Sequence, residues 1–280
     1  MSTELPLSMR SPVYKAWMSF FNGNLDEVER PLDEYPSMSL FFTRHLKSGA
    51  RSWPASSGPS TALSSPADGR VMQVGRVRGP LVEQIKGSNY SLDGFLGDDF
   101  VYETLADGSP SVRPRVATAK NSQNDLFYCV IYLGPGDYHR FHSPATWTVN
   151  VRRHYAGELL SVSPLMVRAA RGLFNFNERV VLAGQWERGY MAFAAIGATN
   201  VGSIKIGFDD AIDTNRVTDR AGDPVRTRVF GKGGVPLKRG DEVGMFQMGS
   251  CIVVVFENRK EFKFNVGEGE VVRVGQTIGQ

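Results

Sequence analysis

The sequence predicts an α+β protein, mostly antiparallel β, with one β-rich core and amphipathic helices at its N-terminus. Three observations carry that prediction. Thirty glycines and fifteen prolines are spread through 280 residues, which divides the chain into many short segments. Short apolar runs such as Phe127 to Leu133 and Cys251 to Phe256 recur from residue 65 onward, each about as long as a buried strand. Helical periodicity, by contrast, is concentrated in the first fifty residues.

Composition sets the outer bounds. Apolar residues make up 41% and charged residues 22%, as in ordinary soluble globular proteins, and 280 residues suffice for a substantial core in one domain or two. A net charge of +3 is too small to argue for nucleic acid; it is compatible with an anionic membrane surface or an anionic substrate. The two cysteines, Cys129 and Cys251, lie in apolar runs and read as small buried hydrophobes, not as a disulfide framework or a zinc site. No apolar run approaches the ~20 residues that cross a bilayer. The start, Met1-Ser2-Thr3-Glu4-Leu5-Pro6, resembles neither a signal peptide nor a transit peptide. The chain is therefore expected to be soluble or attached to a membrane from one side.

Residues 1–50 form the helical segment. Ser11-Pro12 is a helix start, an N-cap followed by proline at the first helical position. Val13, Ala16, Trp17, Phe20 and Phe21 then share one face, widened by Tyr14 and Met18. A second helix is predicted from Ser37, carrying Met38, Phe41, Phe42 and Leu46. These faces either pack on the core or lie in a membrane interface, where aromatic residues are favoured; Trp17, Phe20 and Phe21 are the candidate membrane-facing residues. Residues 51–64, rich in Ser, Gly, Pro and Ala, read as a linker.

The core spans 65–280. Asp68-Gly69 is a turn signal, and Arg70 to Val74 alternates as a strand does. Residues 81–97 mix turn and short helix. Phe127 to Leu133 reads as a strand buried on both faces that stops at Gly134-Pro135-Gly136-Asp137. Ser163-Pro164 opens a helix with Met166, Val167, Ala170, Leu173 and Phe174 on its apolar side. Strands are predicted at Val180 to Leu182, Tyr190 to Ile196 and Val201 to Phe208, in a stretch crowded with small residues. Residues 209–234 read as a long loop. Val235 to Glu242 turns into the final β region, and the chain closes on short strands around Gly267 to Gly275. The sequence has no internal repeat, dinucleotide-binding or P-loop glycine pattern, or heptad run.

The chain has four histidines. His45 and His154 read as packing or structural residues. His139 and His142 follow directly on the turn after a buried strand, where a rigid platform ends and side chains are well placed for chemistry. On spacing alone the pair could be metal ligands, core residues or catalysts. No cysteine or third histidine accompanies it, so no metal is expected.

Pro66-Ala67-Asp68-Gly69, Tyr138-His139-Arg140-Phe141-His142-Ser143-Pro144 and the late Gly249-Ser250, in that order, resemble the phosphatidylserine decarboxylase family. The likeness extends to Arg30-Pro31-Leu32-Asp33, Phe41-Phe42, Ile85-Lys86-Gly87, Pro135-Gly136-Asp137, Asn177-Glu178-Arg179-Val180 and Gly197 to Ser203. It runs from about residue 28 to the end and is nearest the mitochondrial-type branch. Members of that family depend on a pyruvoyl group that they make from one of their own serines. The resemblance implies that Ser250 attacks the Gly249 carbonyl, with His142 as base and Asp68 orienting it, in the manner of a Ser-His-Asp triad. The products would be chains 1–249 and 250–280, the second beginning with a pyruvoyl group. That group would form a Schiff base with phosphatidylserine and release CO2. His139 would return a proton to the α-carbon, giving phosphatidylethanolamine.

The resemblance further implies two associated chains from one precursor, a homodimer, no nucleic acid and a peripheral place on a membrane. That membrane would be the inner mitochondrial one in a eukaryote and the cytoplasmic face of the cell membrane in a bacterium. The family's usual Thr after the cleavage Ser is Cys251 here. If the Thr hydroxyl assists cleavage, processing would be slower, and a competing attack by Cys251 would leave no pyruvoyl group. The alternatives are a pyruvoyl enzyme acting on a soluble amino acid such as tryptophan, and an uncleaved inactive relative. A biotinyl- or lipoyl-carrier sandwich is disfavoured because the closing strands lack a Met-Lys motif.

Overall fold

A computed structural model of the chain describes residues 3–54, 61–77, 81–83, 89–97, 100–104, 110–114, 124–163, 166, 173–198, 203–247 and 250–280. The expected features at Ile85-Lys86-Gly87, at most of the helix opening at Ser163-Pro164, at Thr199 to Gly202 and at Gly249 lie outside them. Leu173–Phe176 is helical, as is Leu92–Leu96.

The apolar runs of the core become neighbouring strands of one large antiparallel sheet. In spatial order it holds Arg226–Val229, Trp147–Tyr155, Arg179–Trp186, Gly189–Ile196, Ser250–Arg259, Asn124–Leu133, Gly69–Arg76 and Val271–Val272, and Val235–Leu237 also pairs with Trp147–Tyr155. Ser250–Arg259 is thus central, hydrogen-bonded on one side to Gly189–Ile196 and on the other to Asn124–Leu133.

The strand period of two sends alternate side chains to opposite faces. Cys129, Ile131, Leu133, Phe193, Ile252, Val254 and Phe256 belong to one core cluster. Tyr128, Val130, Ala192, Ala194, Cys251, Val253 and Val255 belong to the other. Burial on both faces is why these strands read as continuous apolar runs instead of alternating ones. A small sheet of Ile204–Ile206, Glu242–Phe246 and Arg140–His142 contributes Ile204, Ile206, Phe141 and Phe246 to the first cluster.

The N-terminal helices pack where the long central strand Asn124–Leu133 ends. Helix α1 spans Leu7–Phe20 and α2 Met38–Phe42; the Ser37 side chain caps α2 by accepting the Leu40 N–H at 3.4 Å. Helix α1 starts ahead of the expected Ser11, and Pro12 lies inside it. The reason is tertiary. The Leu5 N–H donates to Pro36 O at 2.8 Å, and Arg10 reaches Leu5 O and Asp33 O, so the entry to the helix is fixed by residues far along the chain.

Tyr14 and Met18, the margins of the predicted apolar face, are its buried residues, packed with Val28, Tyr35 and Phe41. Trp17 and Phe21 are half-buried, and Phe20 is 79% exposed. Within 209–234, Arg226–Val229 is a strand on the edge of the large sheet, not loop. Its side chains are largely exposed, so the sequence carries no apolar alternation to reveal it.

Candidate active site

Ser250 opens the central strand opposite Leu133, the last residue of Asn124–Leu133. By alternation it points to the same face as Ile252 and Val254, the face covered by Ala67 and Phe141. It is fully buried, and its Oγ has no hydrogen-bond partner among the described residues. A buried hydroxyl left without a partner costs free energy, and such a group marks a place where chemistry takes precedence over stability.

Cys251 points the other way. It belongs to the opposite cluster, its Sγ lies 3.9 Å from Val162 O, and complete burial pushes its thiol up. The pleat therefore separates the two potential nucleophiles onto different faces of the sheet.

Asp68 lies on the far side of the same strand end. Arg70 pairs with Tyr132 where Ser250 pairs with Leu133, so the Asp68 turn and Ser250 flank one strand, roughly two strand spacings or about 10 Å apart. Gly69 permits this approach: a Cβ there would sit 2.2 Å from the Tyr132 carbonyl oxygen. The chain leaving that strand makes the Gly134–Asp137 turn, held by Gly134 N–H donating to Asp137 Oδ2 at 2.7 Å, and then supplies both histidines.

His142 is tied to the Asp68 turn through its backbone, whose N–H donates to Pro66 O at 2.8 Å. Its ring makes no hydrogen bond to Asp68. Because a carbonyl only accepts, Nδ1 donates to Gly240 O at 2.9 Å, and Nε2 meets the Tyr138 hydroxyl at 3.2 Å. The Asp68 carboxylate is instead held at both oxygens by the Arg51 guanidinium, and Oδ1 also accepts the Val274 N–H at 2.8 Å. Arg51 is fixed in turn by Glu27 at 2.9 Å. Burial lowers the His142 pKa, against smaller upward pulls from the Gly240 carbonyl and then from Glu242 and Asp68.

His139 is fully buried, with its ring edge-on to Phe42 at 4.9 Å. Nδ1 meets Asp137 O at 2.8 Å, and Nε2 has no partner among the described residues. The Phe246 N–H donates to His139 O at 2.9 Å, so His139 faces the segment that runs into Ser250. Burial, assisted by the nearby Arg44 cation, takes its pKa down to about 3.

A cavity of about 140 Å³ is lined by Arg44, Arg51, Asp68, Asp137 and Tyr138, and another of about 250 Å³ by Arg51, Trp53, Tyr138, His142 and Glu242. Arg51, Tyr138 and Leu46 line both, so Asp68 and His142 lie on neighbouring walls of one recessed region. Arg44 and Arg51 were not legible as site residues. Their partners are distant in sequence, and each is a single cation beside an aromatic pair or in a Ser/Gly/Pro-rich stretch.

Among the described residues, His154, Glu178 and Asp219 bring possible metal-ligand atoms within 4.8 Å of one another. Their contacts are those of a packed polar cluster. His154 Nε2 bonds Glu178 directly at 2.8 Å, Glu178 accepts the Asn215 N–H, and Asp219 pairs with Arg226.

Fold and site together define a β-rich chain that gathers a buried serine, two histidines and an aspartate at one end of a central strand. Residues 38–280 match the phosphatidylserine decarboxylase family. A rice (Oryza sativa subsp. japonica) mitochondrial phosphatidylserine decarboxylase proenzyme 1 is 40% identical, over 100% of this chain and 74% of its own length. The corresponding Cricetulus griseus proenzyme is 42% identical over 99% and 68%, and that of Saccharomyces cerevisiae 35% over 99% and 69%. The chain belongs to the phosphatidylserine decarboxylase family, whose members are carboxy-lyases.

Proposed function

We propose that the chain is the precursor of a pyruvoyl-dependent phosphatidylserine decarboxylase, cuts itself between Gly249 and Ser250, and converts phosphatidylserine to phosphatidylethanolamine. The observation that carries this reading is the buried Ser250 hydroxyl, without a partner among the described residues, beside the end of the strand Asn124–Leu133 that Asp68, His139 and His142 also flank. The relatives' names as proenzymes agree with it.

In the cut, Ser250 Oγ attacks the Gly249 carbonyl and the amide becomes an ester. Elimination then releases the Gly249 carboxylate and leaves a dehydroalanyl end. Water replaces its nitrogen, which departs as ammonia, and the new chain starts with the pyruvoyl group. The residues fit that group: the hydroxyl it derives from is already shielded from water and committed to no other partner among the described residues. The pyruvoyl carbonyl supplies an electron sink for the pair of electrons left when CO2 departs.

His142 is assigned as the base, because its backbone bond to Pro66 O locks it beside the Asp68 turn. Its bare Nε2 is met by Tyr138, so that hydroxyl must yield or relay the proton. Asp68 acts through its charge and through the turn it anchors, held by Arg51. His139 is assigned to return the proton to the α-carbon. Chains 1–249 and 250–280 stay together, and Phe20, with the edges of Trp17 and Phe21, lies in the surface of a membrane. A homodimer attached to one membrane face completes the proposal, on the mitochondrial inner membrane in a eukaryote or the cytoplasmic face of the cell membrane in a bacterium. No described helix is long and apolar enough to cross a membrane.

The division of labour is tested by intact mass and CO2 release from single variants. Ser250→Ala, His142→Ala and Asp68→Ala should remain one uncut chain. His139→Ala should be cut and release no CO2. An uncut His139→Ala chain would show this division of labour between the histidines to be wrong.

A further inference from the structure

The turn that carries His139 is gripped from outside the core by Arg44, a residue to which neither the motif nor the family match gives a role. Arg44 is buried, and the guanidinium makes no salt bridge among the described residues. Its Nη2 donates to Gly136 O at 3.0 Å and to Asp137 O at 3.1 Å, and its Nη1 donates to Phe41 O at 3.4 Å. A buried cation that spends its donors on backbone carbonyls is costly, and it persists only where the geometry it imposes is needed.

The Asp137 carbonyl is the link. It accepts from Arg44 and, at 2.8 Å, faces His139 Nδ1. A carbonyl has no proton to give, so Nδ1 carries the hydrogen, and the neutral ring then has a bare lone pair at Nε2. That atom is buried with no partner among the described residues, and the Phe42 ring restricts the imidazole from the side. Phe42 ends α2 and Arg44 lies two residues beyond it, so one short stretch sets the position, orientation and tautomer of the histidine.

We propose that Arg44 is the positioning residue of His139, holding it as the Nδ1–H tautomer whose bare Nε2 must take up a proton before it can deliver one. The proposal rests on the decarboxylase reading for what His139 does. The proton balance then closes within the substrate. The ammonium group of the substrate gives one proton to Nε2 and becomes a free amine, leaving an imidazolium. After CO2 has gone, the imidazolium returns that proton to the α-carbon and is neutral again. Among the described residues, Arg44 is the charged side chain that opposes a positive charge on this ring; the Asp137 carboxylate is turned to Gly134 N–H. Its positive charge opposes premature protonation by solvent.

The test uses nitrogen NMR of the histidine rings in the full-length Ser250→Ala chain, which needs neither the cut nor the pyruvoyl group. His139 should show a protonated Nδ1 and a bare Nε2 throughout pH 5 to 8. In the Arg44→Gln/Ser250→Ala chain the ring should populate the other tautomer or titrate within that range. A His139 carrying its proton on Nε2, or one whose signals ignore Arg44→Gln, overturns the proposal. If Arg44→Gln does not fold, Arg44→Lys keeps the charge and loses the fork that spans both carbonyls. In the cleavable chain, Arg44→Lys should lower kcat per cleaved molecule more than tenfold with KM changed less than threefold, and an unchanged kcat overturns the proposal. A wild-type chain that is never cut would refute the decarboxylase reading while leaving the NMR result to stand or fall by itself.

Discussion

At the scale of single residues, alternation along one strand decides the chemistry. Ser250 and Cys251 are neighbours in sequence, yet they face different cores. The sequence puts a second potential nucleophile, Cys251, directly after Ser250; only the register shows that this thiol cannot share the site of Ser250. Cys251→Thr and Cys251→Ala should therefore be cut at rates within about threefold of the parent, followed by intact mass over time. A cut displaced to the Ser250–Cys251 bond in the parent would contradict that.

His139 supplies a second prediction. Its pKa falls from the usual 6.5 to about 3 in the folded chain, so the unfolded chain binds the extra proton first. Its contribution to stability is complete above about pH 6.5 and is lost as pH falls toward 3. Urea midpoints of Ser250→Ala should decline over that window, and less steeply when His139 is also replaced by Gln.

At the scale of elements, the site is built from strand ends and from one close approach. The strands around Ser250 were legible as apolar runs because both of their faces are buried, as the observed Asn124–Leu133 and Gly189–Ile196 show. The edge strand Arg226–Val229 was not, since it packs few apolar side chains. Helix α1 starts ahead of Ser11 because contacts to Pro36 and Asp33 set its entry, although Pro12 mimics a first-turn proline. Gly69 is the critical joint. Any side chain there collides with the Tyr132 carbonyl, which must shift or push the Asp68 turn off the strand. Gly69→Ala should slow self-cleavage by at least tenfold while the chain remains folded by circular dichroism. Deeper in the same sheet, Phe256→Ala removes a fully buried ring and should cost about 3–5 kcal/mol in urea unfolding.

At the scale of the whole molecule, residues 250–280, the rest of the core and the N-terminal segment are interlocked around Asp68. Residues 250–280 supply the central strand, the Val274 N–H on Asp68, and the pairing of Thr277–Gly279 with Leu63–Ser64. The two chains should co-elute after the cut and separate only in denaturant. Arg51 joins Glu27 of the N-terminal segment to Asp68 of the core, although it opens a stretch whose composition reads as linker. Removing it strands a buried carboxylate, so Arg51→Ala should cost about 3–5 kcal/mol and slow the cut. The order of the motifs along the chain makes the four candidate site residues legible in the sequence. The clamps on them are not legible there, because Arg44 and Arg51 act on groups that only folding brings near.

The central claim is that the chain cuts its own backbone at Gly249–Ser250. Intact mass spectrometry of the purified wild-type protein, beside Ser250→Ala, tests it most directly. The wild type should give two masses, those of 1–249 and of 250–280 with its amino end lighter than a serine end by one ammonia, and Ser250→Ala should give one. A single full-length mass for the wild type would contradict the account.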